Sequence, residues 1–142
     1  MTDPFDGFEA GQTVLTREFS VTREDLRAYA DASGDHNPIH LDEEAARAAG
    51  LPTVIAHGMF TMGLAARAVT EWRDEAGLEA DVSALTARFA KPVLVDAEKG
   101  GEVTVEAKVR KVSPESLELA VTATSQGARV LAPARVTCVP RG

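Results

Sequence analysis

All three histidines of this chain, His36, His40 and His57, fall inside two short segments, Ala32-Ser-Gly-Asp-His-Asn-Pro-Ile-His40 and Ile55-Ala-His-Gly-Met-Phe-Thr-Met-Gly63. An imidazole titrates near neutral pH and can take or give a proton. A carboxylate five residues earlier, across a Gly-Asp-x-Asn-Pro turn, can be held beside it by a rigid loop. Asp35 and His40 are therefore a candidate acid/base couple. The loop is suited to aiming them, because Pro38 confines Asn37 to extended backbone angles and Gly34 can take the positive φ that ends a preceding helix. In the second segment Gly58 stands where a long apolar run begins. If that run is helical, the free N–H groups of its first turn and its positive dipole end lie at Gly58, a seat for a carbonyl oxygen that gains negative charge.

The elements that must position these residues can be read from pattern. Residues 1–11 carry Gly7, Gly11 and mixed charge and read as an N-terminal arm. Gln12 to Ser20 alternates like a short strand. Thr22-Arg-Glu-Asp25 has the form of a capping box and predicts a helix to about Ala32, with Leu26, Tyr29 and Ala30 inward. Asp42 can cap a short helix, Glu43 to Ala49, that Gly50 and Pro52 end. Met59 to Trp72 is apolar nearly all round, with only Arg67 and Glu71 charged and Gly63, Ala65, Ala66 and Ala68 keeping it thin. Such a helix is expected to be buried and wrapped closely by a sheet. From Val82 the period changes, and strands are predicted over Ser83 to Val95, Glu102 to Val112, Ser116 to Ser125 and Ala128 to Val139, with hairpin turns at Ser113-Pro-Glu-Ser116 and Ser125-Gln-Gly127. A strand, helices and then an antiparallel meander is an α+β order.

Length and composition narrow the classes of function. With 142 residues a single domain is expected over 1–142. A short acidic N-terminus and the lack of any apolar run near ~20 residues predict a soluble, cytoplasmic protein with no membrane partner. The single Cys138 excludes an internal disulfide and a cysteine-based zinc cluster. Net charge is −7, but residues 1–82 hold 6 Lys/Arg against 16 Asp/Glu, whereas 83–142 hold 9 against 6. Nucleic acid is thereby disfavoured as a partner. An acidic partner could still dock on the basic half through Arg88, Lys91, Lys108, Arg110 and Lys111.

The two-part motif, together with Arg88-Phe-Ala-Lys-Pro-Val93, resembles the signature of the MaoC-like, (R)-specific enoyl-thioester hydratases, the hydratase 2 family of the hot-dog fold. Within that family it looks most like the B subunits of actinobacterial (3R)-hydroxyacyl-ACP dehydratases. The resemblance implies a curved antiparallel sheet around the Met59 to Trp72 helix, assembly as a homo- or heterodimer with a related hot-dog subunit, and an acyl tunnel between protomers. Carried over position by position, it makes Asp35 and His40 the catalytic pair, gives Gly58 the N–H that holds the thioester carbonyl, and gives Asn37 the task of orienting the loop. Some members carry a serine about two turns into the central helix, where this chain has Ala65 and Ala66.

Plainer readings stand beside these. Asp35 and Asn37 are also ordinary turn formers; His57 reads as an imidazole that bonds a backbone group, and His36 as exposed. Three histidines and an aspartate could suggest a metal, but the spacing lacks His-x-x-x-His on one helix, so no metal and no cofactor is expected. The expected activity is reversible hydration of trans-2-enoyl thioesters to the (3R)-hydroxyacyl form, on acyl carrier protein or CoA, in fatty acid biosynthesis. A non-catalytic thioester-binding subunit and a hot-dog thioesterase are the alternatives.

Overall fold

A computed structural model describes residues 3–142. The chain forms a strand β1 (Thr13–Val21), a helix α1 (Arg23–Ser33), a single 3-10 turn (Pro38–His40), a short helix α2 (Glu43–Ala48) and a long helix α3 (Gly58–Glu75). Strands β2 (Ala80–Phe89), β3 (Gly101–Ser113), β4 (Ser116–Ser125) and β5 (Ala128–Pro140) follow. All five strands make one antiparallel sheet in the order β1-β3-β4-β5-β2.

Period-two alternation sets the two faces of this sheet. β4 strictly alternates, sending Leu117, Leu119, Val121 and Ala123 inward, and β3 does the same with Val103, Val105, Ala107 and Val109. Register shifts near Thr13, Val82, Val109 and Val121 add twist where the sheet must curl. The concave face receives Thr61, Leu64, Ala65, Ala68, Val69 and Trp72 of α3, a stripe with helical spacing. Ala65 and Ala68 are fully buried, so their small side chains let helix and sheet approach. Val69 and Trp72 each contribute about 1.5–3 kcal/mol by burial.

The opposite face of α3 is uncovered, which departs from the expected all-round burial. Met59 is 58% exposed, and a Cβ at Gly63 would meet nothing within 4 Å. Part of the apolar pattern thus serves the sheet, whereas Phe60 meets Tyr29 of α1 and Met59 stands open to solvent. Residues 3–11 of the N-terminal arm are docked, while Met1 and Thr2 lie outside the described residues. Phe5 is 1% exposed in the core and Phe8 lies edge-on to Trp72 with ring centroids 5.8 Å apart. The mixed charge of residues 1–11 concealed these two anchors.

β2 begins earlier and ends sooner than its sequence pattern suggests. Ala80, three residues before the predicted start at Ser83, is fully buried and pairs with Pro140. Beyond Phe89 the chain leaves the sheet before Pro92, which has no N–H to donate, and Leu94 makes only an isolated bridge to Ile55. Both hairpin turns fall where expected, and Gln126 and Gly127 supply the two positive φ angles, 51° and 76°, that a two-residue turn between twisted strands requires.

Candidate active site

The capping box of α1 is complete: the Asp25 N–H donates to Thr22 Oγ1 at 3.0 Å and the Thr22 N–H to Asp25 Oδ2 at 2.9 Å. The helix ends in Gly34 at φ 81°, whose N–H donates to the Ala30 carbonyl. It thereby delivers Asp35 to the loop at a fixed point. Asp35 Oδ1 accepts from the Asn37 N–H at 3.1 Å, and Asn37 Oδ1 accepts from the Ile39 N–H at 3.3 Å. Both residues therefore do form turns. The 3-10 turn that Asn37 caps ends in His40, so the same bonds also fix where that imidazole starts.

His40 is 8% exposed, and its Nδ1 lies 2.7 Å from the Ile55 carbonyl. A carbonyl only accepts, so Nδ1 carries the proton and Nε2 keeps its lone pair. Burial pushes the His40 pKa below the ordinary histidine value. The Ile55 bond opposes that shift, the neighbouring His57 adds to it, and Asp35 acts against it. The group is thus poised as a neutral base at pH 7.

A carboxylate oxygen of Asp35 and one ring nitrogen each of His40 and His57 lie within 4.8 Å of one another. Two hydrogen bonds of ~2.8 Å through one oxygen reach at least that far, so a single water or substrate hydroxyl is able to bridge two of these groups. The same three groups could offer ligands to a cation. The rings of His40 and His57 are stacked, however, with centroids 4.0 Å apart and planes 25° apart. Their in-plane lone pairs cannot meet at one ion about 2.0–2.1 Å from each.

Gly58 is the first residue of α3, and its N-cap His57 makes no side-chain capping bond. Thr61 is the first residue whose N–H returns to the helix, donating to the His57 carbonyl at 3.2 Å. The N–H groups of Gly58, Met59 and Phe60 are left free by helix geometry, at its positive end. His40 and Gly58 line one cleft of about 440 Å³, whose walls are otherwise largely apolar and include Ile55, Phe89 and Val93. Asp35 is exposed and does not line it.

Of the other histidines, His36 is exposed and pairs with Asp31 at 3.2 Å, away from the cleft. His57 does bond a backbone group: its Nε2 donates to the Asp35 carbonyl at 3.0 Å. Sequence reasoning did not place Thr61, Phe89 or Lys91 in the cleft, although the last two stand in the Arg88-Phe-Ala-Lys-Pro-Val93 stretch. Thr61 follows Gly58 by three residues, so it shares that helix face and could have been found by spacing. No hydroxyl comes from Ala65 or Ala66; the one among the lining residues belongs to Thr61. Arg88, Lys91, Lys108, Arg110 and Lys111, the basic residues expected to receive an acidic partner, do not form one patch. Lys108, Arg110 and Lys111 sit on β3, three strand steps or about 14 Å from β2. Lys108 and Arg110 are also paired with Glu106 and Glu118, at 3.8 and 2.8 Å.

A family model described as MaoC like domain matches residues 7–127. The chain is 48% identical over 83 residues to the 3-hydroxyacyl-thioester dehydratase X of Mycobacterium tuberculosis, an alignment covering 56% of this chain and 26% of that protein. It is 32% identical over 111 residues to the 3-hydroxybutyryl-CoA dehydratase of Methylorubrum extorquens, covering 78% of this chain and 66% of that one. Among solved structures, a MaoC-like dehydratase superposes with a TM-score of 0.88 at 35% identity over 97% of this chain and 42% of the other. The chain spans about a quarter of the length of the first curated relatives that it matches, 26% and 25%. Among the described residues no helix is long and apolar enough to cross a membrane.

Proposed function

The chain belongs to the MaoC-like domain family, and from that premise we propose that it is a hydro-lyase that interconverts (3R)-hydroxyacyl and trans-2-enoyl thioesters. One observation carries the reading: a neutral imidazole with a free Nε2 shares an apolar cleft with the open N-terminus of α3, and Asp35 stands within one water's reach of it. The names of the two relatives, both dehydratases of hydroxyacyl thioesters, support the same class.

In the dehydration direction the thioester carbonyl accepts from the Gly58 N–H, which with the helix dipole stabilises the negative charge that grows on its oxygen. His40 Nε2 takes the α-proton. The Asp35 carboxylate accepts a hydrogen bond from the β-hydroxyl and holds it on the same side. The hydroxyl leaves with the proton that His40 now carries, so one molecule of water departs and the C–C double bond forms. Hydration reverses each step. The electron pairs stay within the substrate and the departing water, so the chemistry calls for no redox cofactor. Asn37 orients the loop through its bond to the Ile39 N–H.

The substrate's carrier is acyl carrier protein or CoA, and we place the reaction in fatty acid biosynthesis. The uncovered face of α3 and the edge strand β2 leave Met59 58% and Phe89 55% exposed, which a second hot-dog subunit, identical or related, would cover. The test is incubation with crotonyl-CoA and with a longer trans-2-enoyl thioester, alone and with a candidate partner subunit, following enoyl absorbance together with a thiol reagent. Loss of enoyl absorbance without free thiol is expected. Thiol release would identify a thioesterase, and no conversion under any condition would identify a non-catalytic subunit.

A further inference from the structure

His57 touches each part of the site. Its Nε2 donates to the carbonyl of Asp35 at 3.0 Å. Its ring stacks on His40 at a centroid distance of 4.0 Å. Its backbone is the N-cap of α3, and Gly58 is the next residue. The ring also meets Tyr29 of α1, with centroids 4.8 Å apart, and Tyr29 in turn meets Phe60 at 5.5 Å. The ring is thus held between two helices and the loop, with 1% of its surface exposed.

Its Nδ1 is buried and finds no hydrogen-bond partner. An unpaired buried acceptor costs free energy, on the order of 1–3 kcal/mol, so a side chain chosen only to fill this space would be apolar. The imidazole is explained if both its donor and its flat face are needed. We infer that His57 is a positioning residue that fixes Asp35, His40 and the Gly58 N–H relative to one another. The donor sets where the Asp35 loop lies, the face sets the plane of the His40 ring and keeps water from it, and the backbone ties both to the start of α3. The titratable groups around His40 are Asp35 from the loop, His57 from the start of α3, and Lys91, which lines the same cleft. Exclusion of water by the His57 ring agrees with the lowered pKa of His40, for which burial is the largest cause.

The inference rests on the proposed hydro-lyase reading for its kinetic arm but not for its spectroscopic one. Two substitutions separate the functions of the ring: His57→Gln keeps an N–H near the Nε2 position and removes the stacked face, whereas His57→Phe keeps the face and removes the donor. Both are compared with wild type for kcat and KM on crotonyl-CoA, and for the His40 titration followed by NMR. His57→Phe should lower kcat by about 10²-fold with KM little changed, the loss expected when a reacting group is misplaced by ~1 Å. His57→Gln should recover part of that loss and raise the His40 titration towards its ordinary value, moving the acidic limb of kcat/KM to higher pH. Wild-type kcat in both variants with an unmoved His40 titration would overturn the positioning role. If His57→Phe does not fold, the titration in His57→Gln decides. A wild type without hydratase activity overturns the proposed function instead, and the His40 titration still decides the role of His57.

Discussion

Replacing Gly58 by proline removes one hydrogen-bond donor and leaves the helix that carries it. Gly58 is the first residue of α3, where the N–H has no intrahelical carbonyl and where proline is readily accepted. The residue before a proline must be extended, and His57 already is, with φ −59° and ψ 139°. A Cβ at this position would lie 3.1 to 3.3 Å from three atoms of the Phe89 ring, but that ring is 55% exposed and can turn aside. Gly58→Ala adds the same Cβ and keeps the N–H. The difference between the two variants therefore isolates the donor. Loss of one donor to a developing oxyanion costs about 10²–10³ in kcat, or ~2.7–4 kcal/mol. The assay is the initial rate of crotonyl-CoA hydration, with thermal melts to show that both variants fold. Gly58→Pro should fall by that factor relative to Gly58→Ala. Equal rates in the two folded variants would refute the assignment of the carbonyl to the Gly58 N–H.

Three further outcomes are expected. The acidic limb of kcat/KM should lie below pH ~6.5, because His40 must be neutral to act and burial lowers its pKa; a limb at or above that value would count against His40 as the base. By the same linkage, the folded state binds this proton more weakly than the unfolded chain, so the His40 contribution to stability is lost as pH falls from ~6.5 through the lowered value, which urea melts across that range can measure. Phe5→Ala should destabilise the fold by about 3–5 kcal/mol, since Phe5 is 1% exposed, whereas a free arm would show no change in denaturant midpoint. Phe89→Glu should weaken subunit association, read by light scattering, while a sheet edge that pairs with nothing would leave the molar mass unchanged.

Much of the site was legible because it is local. The spacing from Asp35 to His40 is set by one turn and two side-chain caps, all written in consecutive residues, and the structure gives Asp35, Asn37 and His40 the loop geometry that the sequence implies. The hairpins and the inward face of the meander follow from period-two alternation in the same way. Contacts between distant segments were not legible. That His57 lies against His40 and bonds the carbonyl of Asp35 depends on α3 and α1 packing together, across 22 residues of chain. Phe89, the last residue of β2, and Lys91, whose N–H donates to the Arg129 carbonyl of β5, line the cleft beside His40 only because the fold brings this sheet edge to the Asp35–His40 loop. The pattern of Met59 to Trp72 predicted burial on all sides, and hydropathy cannot distinguish a face covered by the chain's own sheet from one left open.

The central claim is that Asp35 and His40 act as one unit on a thioester. Its most direct test is the kcat/KM for crotonyl-CoA hydration of Asp35→Asn, His40→Ala and the double variant, each shown to be folded. Groups that work together lose nearly all activity when either is removed, so the double variant should be little slower than the slower single one. A folded His40→Ala with near wild-type turnover, or losses that simply multiply in the double variant, would contradict it.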